Sequence, residues 1–209
     1  MGTSLRRYFS GLDHSRQGLT ALFRLKDECR SMTLVDLTER CIDACRQRFV
    51  GDRHISYSVN DGKSLPTVAD SSADLVFSFD SLVHVEIDVM SGYIEEIARV
   101  LRPEGVAFIH HSNMAAFKRP DGEGFRIENK HWRGRSVSAD IIAAFCAASG
   151  LCCYRQELVN WGCPDLIDSF SYIARRGSSR DRRREVIENP RFMQERIRLS
   201  KEGWKAPFA

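Results

Sequence analysis

The chain has 209 residues, 43% hydrophobic and 28% charged, which suits one globular domain and excludes a disordered chain. Its 31 Lys and Arg against 28 Asp and Glu leave a net charge of +3, no general case for a nucleic-acid partner. No run approaches the ~18 apolar residues of a membrane span, and the opening MGTSLRRYFSGLDHSRQG lacks the apolar segment of a secretory signal, so a cytoplasmic protein without membrane attachment is expected.

In chain order, Met32–Leu37 reads as a short buried strand, and Thr38 caps a helix over Glu39–Phe49 with Cys41, Ile42, Cys45 and Phe49 on one face. His54–Val59 alternates as a strand, and Asn60-Asp61-Gly62 turns the chain into a loop over Ser64–Ser72. Ala73–Phe79 is an apolar run suited to a strand covered on both faces. Asp88 caps the next helix, with Tyr93, Ile94, Ile97, Val100 and Leu101 inward and Pro103 and Gly105 as its stop. Val106–His111 is a further strand. Residues 112–135 are polar and long for a plain connection, as in a lid or substrate loop. Ser138 caps a helix ended by Gly150, and Leu151–Leu158 and Asp168–Arg175 are the last strands. Residues 178–209 form a basic, partly helical extension after a domain over 1–177, with Arg175, Arg176, Arg180, Arg182, Arg183 and Arg184 clustered at the junction as a solvated face. The seven cysteines contain no C-x-x-C pair; they read as reduced core residues, and no metal site is expected.

This alternation predicts a mostly parallel α/β sheet with helices on both faces, in which ligands sit outside the carboxyl ends of the strands. The informative residues are therefore those just after each strand. Asp36 can accept two hydrogen bonds from the vicinal hydroxyls of a ribose. Asp61 can accept from an adenine amino group while Gly62 lets the backbone approach the ring, although Asn-Asp-Gly is equally good turn chemistry. His111 ends a central strand and has the intrinsic acidity of a general base; His110 lies on the opposite face by strand alternation, with the register left open. His84 and Asp80 are the other candidates for proton transfer. Each of these also reads as a polar loop residue or a satisfied core histidine. Phe125, Trp132 and Trp161 could wall an acceptor pocket or pack as ordinary loop residues.

Four segments in sequence, TLVDLTERCIDACRQRF, NDGKSLP, ADLVFSFDSLVHV and IARVLRPEGVAFIHHSN, resemble successive motifs of class I, Rossmann-like S-adenosylmethionine methyltransferases of the small-molecule type. The resemblance runs from about residue 18 to 176. It implies a seven-stranded sheet with an antiparallel last strand, S-adenosylmethionine as cofactor, and a small molecule, such as a sugar or natural product, methylated on oxygen or nitrogen. By motif, Asp36 would hold the ribose, Asp61 and Gly62 the adenine, and Ser78, Phe79 and Asp80 would line the methionine end, with Leu37 also among the cofactor-binding residues. The family opens with a strand and an E-x-G-x-G-x-G turn. Here Gly18 stands where its last glycine belongs, but the preceding Gly11-Leu12-Asp13-His14-Ser15-Arg16-Gln17 lacks the close glycine spacing. Arg6-Arg7 make a poor buried strand, so the first strand is expected to be truncated or irregular and the domain incomplete at its N-terminus. The departure opens a second reading, an inactive methyltransferase-fold protein kept for binding.

Overall fold

The computed structural model describes residues 6–10 and 25–202. Among the described residues there are eight strands: β1 (Arg6–Ser10), β2 (Ser31–Asp36), β3 (Ile55–Val59), β4 (Ala73–Leu82), β5 (Leu101–Ser112), β6 (Leu151–Val159), β7 (Asp168–Arg175) and β8 (Glu185–Asn189). Four helices accompany them: α1 (Glu39–Arg48), α2 (Ile87–Val100), α3 (Ala139–Ala148) and α4 (Phe192–Glu202). The strands form one sheet in the order β3-β2-β1-β4-β5-β7-β6-β8. All pairings are parallel except those of β7 with β5 and β6. The chain runs outward from β1 to β3 and returns to β4, so the order reverses between β1 and β4, where open sheets of this kind bind ligands.

β7 is the antiparallel strand anticipated from the resemblance. It is followed by a further strand absent from the sequence reading: β8, drawn from the basic extension, pairs parallel with β6 from Arg155 to Val159. β1 is short, five residues, yet its register is unbroken against β2 and against β4. Over that length both neighbours keep their backbone partners, which avoids the cost of unpaired buried amides.

Two apolar clusters cover the sheet. On one face Met32, Leu34 and Ile55 meet Ile42, Cys45 and Phe49 of α1 and its C-terminal end. On the other, Val76, Ile109 and Ile173 meet Met90, Ile94 and Ile97 of α2 and Ile142 and Cys146 of α3. The thiols of Cys45 and Cys153 are pushed up to about 11 by burial, as befits small core hydrophobes.

Helix starts follow local chemistry where the cap is local. The Thr38 hydroxyl accepts from Cys41 N at 3.3 Å and Ser138 from Ile141 N at 3.4 Å. α2 departs from expectation. Its cap position is Glu86 and not Asp88, and its first amide, Ile87 N, donates to Ser136 Oγ at 2.8 Å. Glu86 in return accepts from the backbone N–H groups of Arg135 and Ser136 at 2.9 and 2.8 Å. A segment about fifty residues away thus supplies the cap. β5 begins earlier than the sequence suggests, at Leu101, and Arg102–Gly105 bulge between the Ala73–Leu101 and Leu75–Val106 pairs. A Cβ on Gly105 would stand 2.6 Å from the Ala73 carbonyl oxygen, so glycine alone allows that close approach. Among the described residues no helix is long and apolar enough to cross a membrane.

Candidate functional site

The carboxyl ends of β2 and β3 are tied together: Asn60 N donates to the Asp36 carbonyl at 3.0 Å. The Asp36 carboxylate accepts from Thr38 N at 2.9 Å and Thr38 Oγ1 at 3.1 Å, so the residue that caps α1 also orients the acid. Leu37 is 61% exposed, and its Cδ1 would lie 3.2 Å from a Cβ built on Gly62, whose φ is +79°. Leu37 and Gly62 therefore face each other directly beyond Asp36, an apolar ledge against bare backbone. Asp61 Oδ1 accepts from Lys63 N at 2.8 Å and Ser64 N at 2.7 Å. These backbone N–H groups hold its carboxyl below the usual carboxylate range. Asp61 thus performs the turn chemistry that Asn-Asp-Gly offers, while standing at the strand end. Asn60 fixes the turn from beneath, donating to Ser64 O at 2.7 Å and Tyr93 Oη at 3.0 Å.

At the end of β4 the ladder to β5 breaks between Ser78 and Leu82. Ser78 is buried beside the switch point, and among the described residues its hydroxyl has no hydrogen-bond partner. Asp80 adopts φ 59°, a left-handed conformation costly for a residue with a Cβ. It is held there by His110: Asp80 N donates to His110 Nδ1 at 3.1 Å. Because Nδ1 accepts, the proton of the neutral ring sits on Nε2, which donates to Asp168 Oδ2 at 3.0 Å. Asp168 in turn takes a two-pronged bond from Arg133, Nε to Oδ1 at 2.8 Å and an Nη to Oδ2 at 2.7 Å. Burial pushes the Asp168 carboxyl up, but His110 and Arg133 outweigh it and hold it below the usual range. Arg133, Asp168 and His110 are all buried. Phe79, Phe170 and Trp161 surround the His110 ring at 5.0, 4.8 and 5.0 Å between centroids. Phe192, at the start of α4, stacks on Trp161 at 5.9 Å, and Arg133 and Arg196 lie over the same indole at 5.6 and 5.2 Å.

The sequence reading missed this Arg133–Asp168–His110 chain. Its members come from three distant segments, and only the pairing of His110 with Phe170 in β5 and β7 brings them together. His111, favoured as a base, lies on the α3 side of the sheet. It is fully buried, its Nδ1–H donates to Ser112 O at 2.8 Å, and its Nε2 accepts from Ser171 Oγ at 2.7 Å. Gln156 braces that serine from β6 at 2.8 Å. Burial lowers the His111 pKa to about 4. Both nitrogens are committed, and this is the satisfied core histidine of the alternative reading. His84 is exposed after β4. Its Nδ1 donates to Trp132 O at 2.9 Å, because a carbonyl can only accept, which leaves Nε2 as the acceptor nitrogen. The three aromatics do not meet: Trp132 is 82% exposed, Phe125 lies under Arg135, and only Trp161 joins the site. The 112–135 loop is latched at its end, where Gly134 N donates to Val83 O at 2.9 Å and the Ser112 hydroxyl donates to Gly134 O at 2.7 Å. Gly18, the remaining candidate, lies outside the described residues. Among the described residues no three His, Cys, Asp or Glu side chains gather as metal ligands.

The sheet order and the strand directions define a Rossmann-like α/β fold. Residues 17–109 match the sequence model of a family described as a methyltransferase domain. No curated protein matches the sequence significantly. Among solved structures, a protein from Pyrococcus horikoshii OT3 is similar with TM-score 0.61 and 17% identity over 84% of each chain. A TehB-like SAM-dependent methyltransferase from Corynebacterium glutamicum gives TM-score 0.56 and 15% identity over 83% of this chain and 81% of that one. A mitomycin 7-O-methyltransferase gives TM-score 0.57 and 16% identity over 83% of this chain and 50% of that one.

Proposed function

We propose that the carboxyl ends of β2, β3 and β4 bind S-adenosylmethionine and that the chain transfers its methyl group to an oxygen or nitrogen of a small molecule. The observation that carries this is the gathering, beside the order reversal, of an acid, an apolar ledge against a glycine, and an orphaned hydroxyl: Asp36, Leu37 with Gly62, and Ser78. The donor set fits the group. Asp36 would accept from the ribose hydroxyls, Leu37 and Gly62 would bracket a flat base, Asp61 would accept from its amino group, and the Ser78 hydroxyl would gain a partner it lacks among the described residues. Phe79 lines the same end of β4. Bound S-adenosylmethionine supplies a methyl group on positively charged sulfur.

The acceptor side falls to β4, β5 and the segments packed against their carboxyl ends. Phe79, Trp161 and Phe170 form an aromatic wall that excludes water, and transfer depends chiefly on alignment of the two reactants. His110 is a positioning residue. Through Asp80 N it fixes the strained end of β4 next to Ser78. Proton removal from the acceptor is assigned to His84 at Nε2, with Asp80 nearby in the chain and His111 excluded by its committed nitrogens.

One feature of the sequence favours binding without transfer: between Gly11 and Gly18 there is no glycine to bring backbone close to the cofactor. Incubation with methyl-labelled S-adenosylmethionine and a panel of small hydroxyl and amine acceptors separates the readings. Label recovered in an acceptor supports transfer. A folded chain that neither binds the cofactor nor transfers label refutes the assignment and supports the binding protein, and cofactor binding with no label in any acceptor refutes transfer to molecules of these classes.

A further inference from the structure

The arginines of the extension are mostly exposed, as a solvated face would be, and they also frame a cleft. Four of them, Arg176, Arg182, Arg183 and Arg184, line a cleft of about 450 Å³ together with Asp181, three net positive charges around one opening. Its floor is apolar, made by Leu151 and Cys153 at the start of β6. β6 begins and β7 ends there, so the cleft opens at the edge of the sheet opposite Asp36 and Ser78, and it is separate from the site proposed above.

The segment that carries these arginines has no regular structure but is pinned on both sides. Gly177 N donates to Asp181 Oδ2 at 2.8 Å, and Cys152 Sγ donates to Arg180 O at 3.8 Å. Arg184 pairs with Asp140 of α3 at 2.6 Å, and the Arg182 guanidinium lies 5.4 Å from the centre of the Tyr154 ring. Among the described residues Arg182 and Arg183 have no carboxylate partner, and Arg176 shares Asp181 at 3.3 Å. Arg182 and Arg183 thus set two like charges at one opening without a carboxylate of their own, and an anion there would offset their repulsion. Guanidinium forks match phosphate oxygens in pairs, and the cleft volume falls within the ~300–1,000 Å³ usual for small-molecule sites.

We propose that this cleft is a second binding site, for a small phosphorylated ligand with an apolar portion, the phosphates held by Arg176, Arg182 and Arg183 and the apolar part resting on Leu151 and Cys153. A cleft of this volume with an apolar floor, and not a flat basic stripe, favours a small ligand over a nucleic-acid strand.

The test is calorimetric titration of the full chain with inorganic pyrophosphate, with sodium chloride at matched ionic strength as control. Saturable binding is expected, weakened at least about tenfold by Arg182→Gln with Arg183→Gln, through the loss of charge-assisted bonds. S-adenosylhomocysteine should neither displace pyrophosphate nor bind differently to the paired variant. Binding no better than that of chloride would overturn the proposal, as would equal binding by the variant or displacement by S-adenosylhomocysteine. Affinity for an oligoribonucleotide that rises with its length, without pyrophosphate binding, would also overturn it in favour of a nucleic-acid surface.

Discussion

His110 and His111 are neighbours in β5 and end up in opposite kinds of surroundings. On the α3 side, His111 is a neutral ring closed off by Ser112, Ser171 and burial, a piece of packing. On the aromatic side, His110 is the middle of a chain from Arg133 through Asp168 to the strained Asp80 at the end of β4. Residue type and position along the strand are the same to within one residue. The difference is which face each side chain meets, so the pleat of one strand separates a stability role from a role at the site. The aromatic side should therefore respond to mutation at the site, and the α3 side in stability alone.

The largest effect is expected at the root of the chain. Arg133→Met leaves Asp168 buried with only His110 to balance it, and breaking a buried pair in this way typically costs ~3–5 kcal/mol. Urea unfolding followed by fluorescence measures it; a loss under ~1 kcal/mol would place the pair in water and not in the interior.

On the α3 side the signature is pH. The His111 pKa falls from 6.5 in an ordinary environment to about 4 in the fold, so the unfolded chain takes up a proton that the folded chain refuses. Stability is therefore full above pH 6.5 and is lost as pH falls toward 4, by on the order of 3 kcal/mol. His111→Gln should remove that part of the acid slope, while leaving the affinity for S-adenosylhomocysteine unchanged. An acid limb of the same steepness in the variant would show that another group is responsible.

A smaller effect separates the two histidines at the site. His110→Phe leaves Asp80 N without its acceptor, and losing a bond of this kind costs ~1–3 kcal/mol. Part of that should appear as weaker S-adenosylhomocysteine binding. His110→Gln should recover most of the affinity, because an amide can accept from Asp80 N and donate to Asp168. Equal affinity in the Phe variant would reduce His110 to packing like its neighbour.

The half of the fold proposed to hold the cofactor is legible in the sequence because its determinants are local. Asp36, Thr38 and the first turn of α1 lie within six residues, and Asp61, Gly62 and Ser64 form their own turn. The half proposed to take the acceptor is not legible. Glu86 takes its partners from Arg135 and Ser136, Asp168 joins residues from β5 and the loop before α3, and β8 is too polar to read as a strand until β6 offers it an edge. His111 misleads because strand alternation separates two faces without saying which one the helices cover. Of the first strand, the sequence shows the arginines that speak against it but not the register that β2 and β4 impose on it.

The central claim is that the end of β2 holds the ribose of S-adenosylmethionine, and titration of S-adenosylhomocysteine into the natural chain and into Asp36→Ala tests it most directly. Losing bonds to a charged acceptor costs ~1.5 kcal/mol or more, about tenfold in affinity. Saturable binding by the natural chain is expected, with at least that loss in a variant that unfolds at an unchanged urea concentration. Equal affinity in the two folded proteins, or no binding by the natural chain at millimolar ligand, would contradict it.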